Sequence, residues 1–285
     1  MKHLVIVRGG GELASGVIHC LYRAGLRVIV LEQEQPTATR RRVSFADAIY
    51  RGEATVERLT CHLAKTVKEA KQRVKKGELI MLCDPKGDCI KELKPRVVVD
   101  ALLRHENVAG TNRDMADHTV ALGPGFCAGR DVDVVVETMR GHNLGRLIYE
   151  GYSYRDQQSD GGLVGDPANL EHLVFAPATG KVKVLQNISM YVKKGEPLAV
   201  ITSRGKKTEV CATIDGMLRG AVHSGLQVEK GQKIADIHPT MSREECFAIS
   251  DKARCIGGSV LTAIMAWESQ DSKKSKFPFN HFSIN

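Results

Sequence analysis

Apolar residues fall along the first half of the chain in short continuous runs, separated by stretches with helical spacing. Leu4 to Arg8 is one such run, and it closes on Gly9-Gly10-Gly11. Beyond it Leu13, Ala14, Val17, Ile18 and Leu21 recur every three or four residues, the apolar face of a helix that Gly25 stops. Arg27-Val28-Ile29-Val30-Leu31 follows at once and ends on Glu32. Further apolar runs stand at 79–83, 97–99, 119–122 and 132–136, with a charged amphipathic helix expected over 66–74 and a shorter one over 88–93. Buried runs of this kind, joined by helices, predict a parallel sheet with right-handed crossovers.

After Pro167 the pattern changes to short strands and glycine turns, and it repeats. Residues 174–180 recur as 210–216, residues 192–196 as 228–232, Leu198 as Ile234 and Ile201 as Ile237, every pair at the offset that separates 174 from 210. Two interlocked copies of such a unit would bury a core that neither could bury alone. The expected fold is therefore an α/β Rossmann-like parallel-sheet domain over 1–168 and a small all-β barrel-sandwich module over 169–240. The module resembles biotinyl and lipoyl carrier domains, whose carrier lysine sits on the hairpin between the repeats. Here that hairpin reads Ser203-Arg204-Gly205-Lys206-Lys207, with glycine at the expected position and no flanking methionine. A structural or docking module is the expectation. A closing helical segment over 241–268 follows, interrupted at Gly257-Gly258, and 269–285 reads as a disordered Lys-rich tail.

The candidate chemistry lies at the ends of the predicted strands, where open α/β sheets place their ligands. Gly9-x-Gly11-x-x-Ala14 fits a dinucleotide fingerprint, and Glu32 stands where an acid would accept hydrogen bonds from a ribose. Arg40-Arg41-Arg42 lies just beyond, placed to meet a second phosphate. The loop from Gly123 through Gly125 to Gly129 could converge backbone N–H groups on an anion. The segment Glu137 to Arg146 packs an acid, two arginines and His142 between glycines. In it Arg140 would be a planar fork for a phosphate or carboxylate, oriented by Glu137. The expected cofactor-binding set is Gly9, Gly11, Ala14, Glu32, Gly123, Gly125, Glu137 and Arg140, and His142 and Cys127 are the candidate catalytic groups. Each has a plainer reading beside it: an empty glycine turn, a simple loop, a salt-bridged connector.

Composition narrows the classes. Forty-one basic against thirty-three acidic residues give a net charge of +8, unevenly spread. The surplus fits an anionic nucleotide-like ligand or an acidic partner, with a solvated surface as the plainer reading of each basic run. With only 5% aromatics and no aromatic-interleaved basic motif, nucleic acid is a minor expectation. The eight cysteines form no CxxC pair, so reduced thiols and no metal site are expected. No long apolar span or signal peptide is visible, which points to a cytoplasmic protein away from membranes. Whether it forms a homo-oligomer is left open.

The chain resembles the YqeB family of selenium-dependent molybdenum hydroxylase system proteins. The residues that carry the likeness run from Arg8 to Gly16, over Glu34-Gln35-Pro36-Thr37, and through Gly123-Pro124-Gly125-Phe126. They continue over 128–133, over 137–146 and over 249–254. The resemblance implies an accessory factor for a molybdenum hydroxylase client, acting in cofactor maturation or insertion. The ligands it leaves in view are NAD(P) and a molybdenum cofactor dinucleotide. A nicotinamide-dependent oxidoreductase and a non-catalytic interaction scaffold stand as the alternatives, so whether the protein is an enzyme is open.

Overall fold

The computed structural model describes residues 4–154 and 171–271. The first part comprises β1 (Leu4–Arg8), α1 (Glu12–Arg23), β2 (Arg27–Glu32), α2 (Ala48–Arg51), β3 (Glu53–Val56), β4 (Leu59–Ala64), α3 (Val67–Lys75) and β5 (Leu79–Cys83). It continues with α4 (Ile90–Leu93), β6 (Val97–Asp100), β7 (His118–Leu122), β8 (Cys127–Ala128), β9 (Val134–Val136), β10 (Leu147–Ile148) and β11 (Gly151–Tyr152). Nine of these strands form one sheet in the order β10-β9-β7-β6-β1-β2-β5-β4-β3. Val5 and Val7 pack toward α1, while Leu4 and Ile6 pack toward α3 and α4. A strand buried on both faces has no polar alternation, which is why β1 reads as a continuous apolar run.

The expected Rossmann-like parallel sheet is corrected by this topology to a mixed one. Its middle is parallel, but β3 pairs antiparallel with β4 at one edge and β10 antiparallel with β9 at the other. The β3–β4 turn is Glu57-Arg58, both at positive φ (44° and 68°), as tight hairpins require. Neither residue is a glycine or asparagine, so the hairpin carried no turn signature.

The second part holds β12 (Leu173–Phe175), β13 (Gly180–Val184), β14 (Tyr191–Val192), β15 (Pro197–Ser203), β16 (Lys206–Cys211), β17 (Gly216–Ala221), β18 (Gln227–Val228) and β19 (Lys233–His238). These make two four-stranded antiparallel sheets, β12-β19-β17-β14 and β16-β15-β13-β18. Each sheet takes two strands from each copy of the sequence repeat, and Val182, Leu198, Ile201, Leu218, Ile234 and Ile237 meet in the shared core. The expected biotinyl/lipoyl-like barrel-sandwich domain is corrected to this pair of sheets. Lys206 and Lys207 are ladder residues opposite Ser203 and Thr202, so the hairpin tip is Arg204-Gly205 and presents no carrier lysine.

The last helix, α5 (Asp251–Asp271), lies across α1. It runs unbroken through Gly257-Gly258, because Gly257 sits against the Gly16 carbonyl and its missing side chain permits the close crossing. Ser269 to Asp271, expected in the tail, belong to this helix; the rest of that tail lies outside the described residues. The β module meets the α/β domain at residues 39–41. There Ala221 N–H donates to Thr39 O at 2.9 Å and Arg41 Nε to Ala221 O at 2.8 Å.

Candidate functional site

The C-terminal ends of β1, β2, β5 and β6 open on a crevice of about 410 Å³. The start of α1 borders it, with Leu13, Pro36, Pro85, Leu102 and Leu103 as apolar walls and Arg104 as a cation at the rim. Leu103 holds a left-handed backbone, φ 55°, on that wall.

The three glycines after β1 do different work. Gly9 has φ 98°, and a Cβ there would stand 3.0 Å from the Ala101 carbonyl oxygen. A Cβ on Gly10 would meet Met81 Cε at 2.9 Å and Ala46 N at 3.0 Å. Both glycines are demanded by the fold. Gly11 is not: it caps α1 at φ −65°, ψ −176°, a conformation open to any residue, and nothing lies within 4 Å of its missing Cβ. That empty space belongs to the crevice. No side chain caps α1 at this end, so its first N–H groups face the cavity with the positive end of the helix dipole. Ala14, buried in the same turn, also lines it.

Glu32 is nearly buried, and its carboxylate faces the glycine turn. Its Oε2 accepts from Gly10 N–H and its Oε1 from Gln33 N–H, both at 2.8 Å. Burial pushes its pKa up, while those two N–H groups and the charge of Arg104 pull it back. The expected ribose acceptor is thus chiefly the clamp of the turn.

Sequence reasoning missed the group that shapes the crevice. Arg8, the last residue of β1, is 1% exposed. Its Nη1 donates to Ala109 O at 3.0 Å and to Thr111 Oγ1, and its Nη2 to Pro85 O at 3.3 Å and Lys86 O at 3.1 Å. One guanidinium therefore ties together the loops after β5 and β6. Thr111 Oγ1 in turn donates to Asp100, which faces Arg8 across the β1–β6 register. Burial raises the Asp100 pKa, against the Thr111 and Leu102 hydrogen bonds and the Arg8 charge. Asp84 directly follows β5 and caps the next turn, accepting from Gly87, Asp88 and Cys89 N–H. Burial opposes the ionised Asp84, but these bonds outweigh it and lower the pKa. The available signal was a cation and an acid, each ending an otherwise apolar strand.

The other expected site residues lie elsewhere. Gly125, at φ 98°, packs against the 104–106 backbone, and Gly123 against Ser153, so that loop buttresses the crevice wall without lining it. Glu137 is fully buried, accepting from Thr138 and Met139 N–H through Oε1 and from Tyr154 N–H through Oε2. Arg140 is exposed and pairs with Asp251 at 3.2 Å, the arrangement of a salt-bridged connector. Cys127 donates its N–H to Asp131 at 2.8 Å, and neither it nor the exposed His142 lines the crevice. Among the described residues no group of three or more His, Cys, Asp or Glu side chains is placed to hold a metal ion. No helix among them is long and apolar enough to cross a membrane.

No protein-family model matches the chain. Among solved structures, it is similar to the product-bound ectoine utilization protein EutE (DoeB) of Ruegeria pomeroyi (12% identity, TM-score 0.25), covering 83% of this chain and 57% of that one. It is similar too to an aspartoacylase family protein of Mesorhizobium loti (9%, TM-score 0.28; 84% of this chain, 85% of that one). A succinylglutamate desuccinylase/aspartoacylase of Rhodobacter sphaeroides stands alongside (13%, TM-score 0.27; 84% and 86%). In sequence, the chain is 42% identical over 273 residues to the uncharacterized protein YqeB of Escherichia coli (strain K12). The match takes in 96% of this chain and 49% of that protein, so the chain spans about half the length of the curated relative it matches. On that similarity the chain is kin to YqeB along nearly its whole length.

Proposed function

We propose that the protein is a cytoplasmic accessory factor in the maturation of a molybdenum hydroxylase, holding a phosphate-bearing pterin cofactor in the strand-end crevice and handing it to the client enzyme. The observation that carries the ligand reading is Gly11. Its glycine is required neither by backbone conformation nor by a neighbour, so the space beyond it is kept for something that is not protein. Uncapped N–H groups at the start of α1 suit a phosphate, and the leucine and proline walls suit a flat ring system. The client and the cofactor class come from the family resemblance described above.

Gly11→Val separates ligand from fold. Valine is a poorer cap than glycine but needs no backbone change, so it should cost about 1 kcal/mol or less. Protein isolated from cells that make the cofactor should carry a pterin, read as fluorescence after oxidation. The variant should lack it at a nearly unchanged melting temperature. Absence of pterin from the wild-type protein, or equal amounts in both, would remove this reading.

A further inference from the structure

A second groove, of about 460 Å³, lies between the starts of α1 and α5 and the β module. It shares only Glu12 and Leu13 with the crevice. We propose that this groove is a separate anion site, for a phosphate group or an equivalent tetrahedral oxyanion.

Three arginines reach it from three segments, each held differently. Arg219 is the extra residue of a β-bulge: the β17–β19 register passes from Leu218 opposite Ile237 to Gly220 opposite Asp236. Bulges re-aim a side chain out of the ladder. Asp236 takes its Nε and, at 3.1 Å, its Nη2, which fixes the guanidinium plane. Nη1 has no partner among the described residues.

Arg40 is 6% exposed. Its Nη1 donates to Glu12 at 2.9 Å and its Nη2 reaches Glu245 O at 3.4 Å, while its Nε has no hydrogen-bond partner. A buried guanidinium so thinly satisfied is costly, and an anion beside it relieves that cost. Arg140 is the exposed member. Its pair with Asp251 leaves the two side chains 65% and 77% exposed, and such surface pairs hold weakly enough to exchange for a better acceptor.

The rest of the lining agrees. Ser250, Asp251 and Lys252 open α5, a helix of 21 residues whose positive end adds to the field. His238 Nδ1 accepts from Thr240 N–H at 3.3 Å, which leaves its proton on Nε2 as a donor. Glu12 and Glu245 stay engaged, by Arg40 and by Ser242 N–H, and Asp251, 77% exposed, is left to solvent when Arg140 turns to the anion. Cations approaching from different directions match an anion with several oxygens better than a planar carboxylate, which one arginine can satisfy alone.

Inorganic phosphate is the probe, titrated into the full chain and followed by calorimetry. Wild type should bind it saturably at millimolar concentration or below. Arg140→Ala, a change at an exposed position, should weaken binding about tenfold. Glu12→Gln, which removes the negative charge beside Arg40, should tighten it about threefold. Gly11→Val should leave the affinity unchanged, so failure of the pterin reading and failure of this one are told apart. No saturable binding, or the same affinity in Arg140→Ala as in wild type, overturns the site. Loss of phosphate binding in Gly11→Val would assign the phosphate to the crevice and overturn it equally.

Discussion

Arg8 shows how much of the crevice hangs on one side chain. Its forked donors reach backbone carbonyls on both walls, and a buried carbonyl that loses its donor has no water to turn to. Lysine offers one charged point and cannot serve both walls at once. Arg8→Lys should lower the unfolding free energy by about 3 kcal/mol. An unchanged urea midpoint would mean that the walls stand without the fork. At this scale the sequence was legible for position and not for direction. The sequence puts Glu32 at the end of β2, where it stands, with a ribose as its expected partner. The fold turns its carboxylate back onto Gly10 and Gln33 N–H, the donors that burial leaves within its reach. Glu137 and Arg140, three residues apart, were read as one unit. The chain buries the first on local backbone and turns the second out toward α5.

The elements of the α/β domain were legible wherever their burial pattern is regular. Strands β1, β2, β5 and β6 and helix α1 fall where apolar runs and helical spacing put them, and Thr66 caps α3 by accepting from Glu69 N–H. The β3–β4 hairpin escaped because its buried residues, Val56, Leu59, Cys61 and Ala64, are scattered among polar ones and form no continuous apolar run. The Gly257-Gly258 pair, read as an interruption, marks a crossing instead. A Cβ on Gly16 would stand 2.5 Å from the Ala253 carbonyl oxygen, and one on Gly257 2.7 Å from the Gly16 oxygen. Gly16→Ala should therefore destabilise the protein by about 3 kcal/mol by forcing α5 away from α1. Gly258, in the same helix, has nothing within 4 Å of its missing Cβ. Gly258→Ala should gain about 0.5–1 kcal/mol from helix propensity. If both substitutions behave alike in thermal unfolding, the close crossing is not what these glycines serve.

At the scale of the whole molecule, the repeat was legible as a duplicated β unit because its 174-to-210 offset recurs along the module. Its seat was not, since nothing in the pattern says which face of a sheet meets another domain. The structure sets that seat at β17 against residues 39–41, where the backbone of one unit touches the backbone of the other. A Cβ on Gly220 would lie 3.1 Å from the Thr39 carbonyl carbon and oxygen and 3.3 Å from Arg40 Cγ. A valine there must push the module outward, stretching the Ala221–Thr39 and Arg41–Ala221 hydrogen bonds. The missing Cβ of Gly220 points at Thr39 and Arg40, not into the core of the β module, so both units should stay folded. What changes is their coupling, and with it the spacing between Arg40 on one side of the groove and Arg219 on the other. Gly220→Val should accordingly split one calorimetric unfolding transition into two and weaken phosphate binding about tenfold, while leaving unchanged the pterin content proposed for the crevice. A single transition at the wild-type temperature with full phosphate affinity would show that the two units are not held together at this contact, and that the groove does not depend on how the β module is seated.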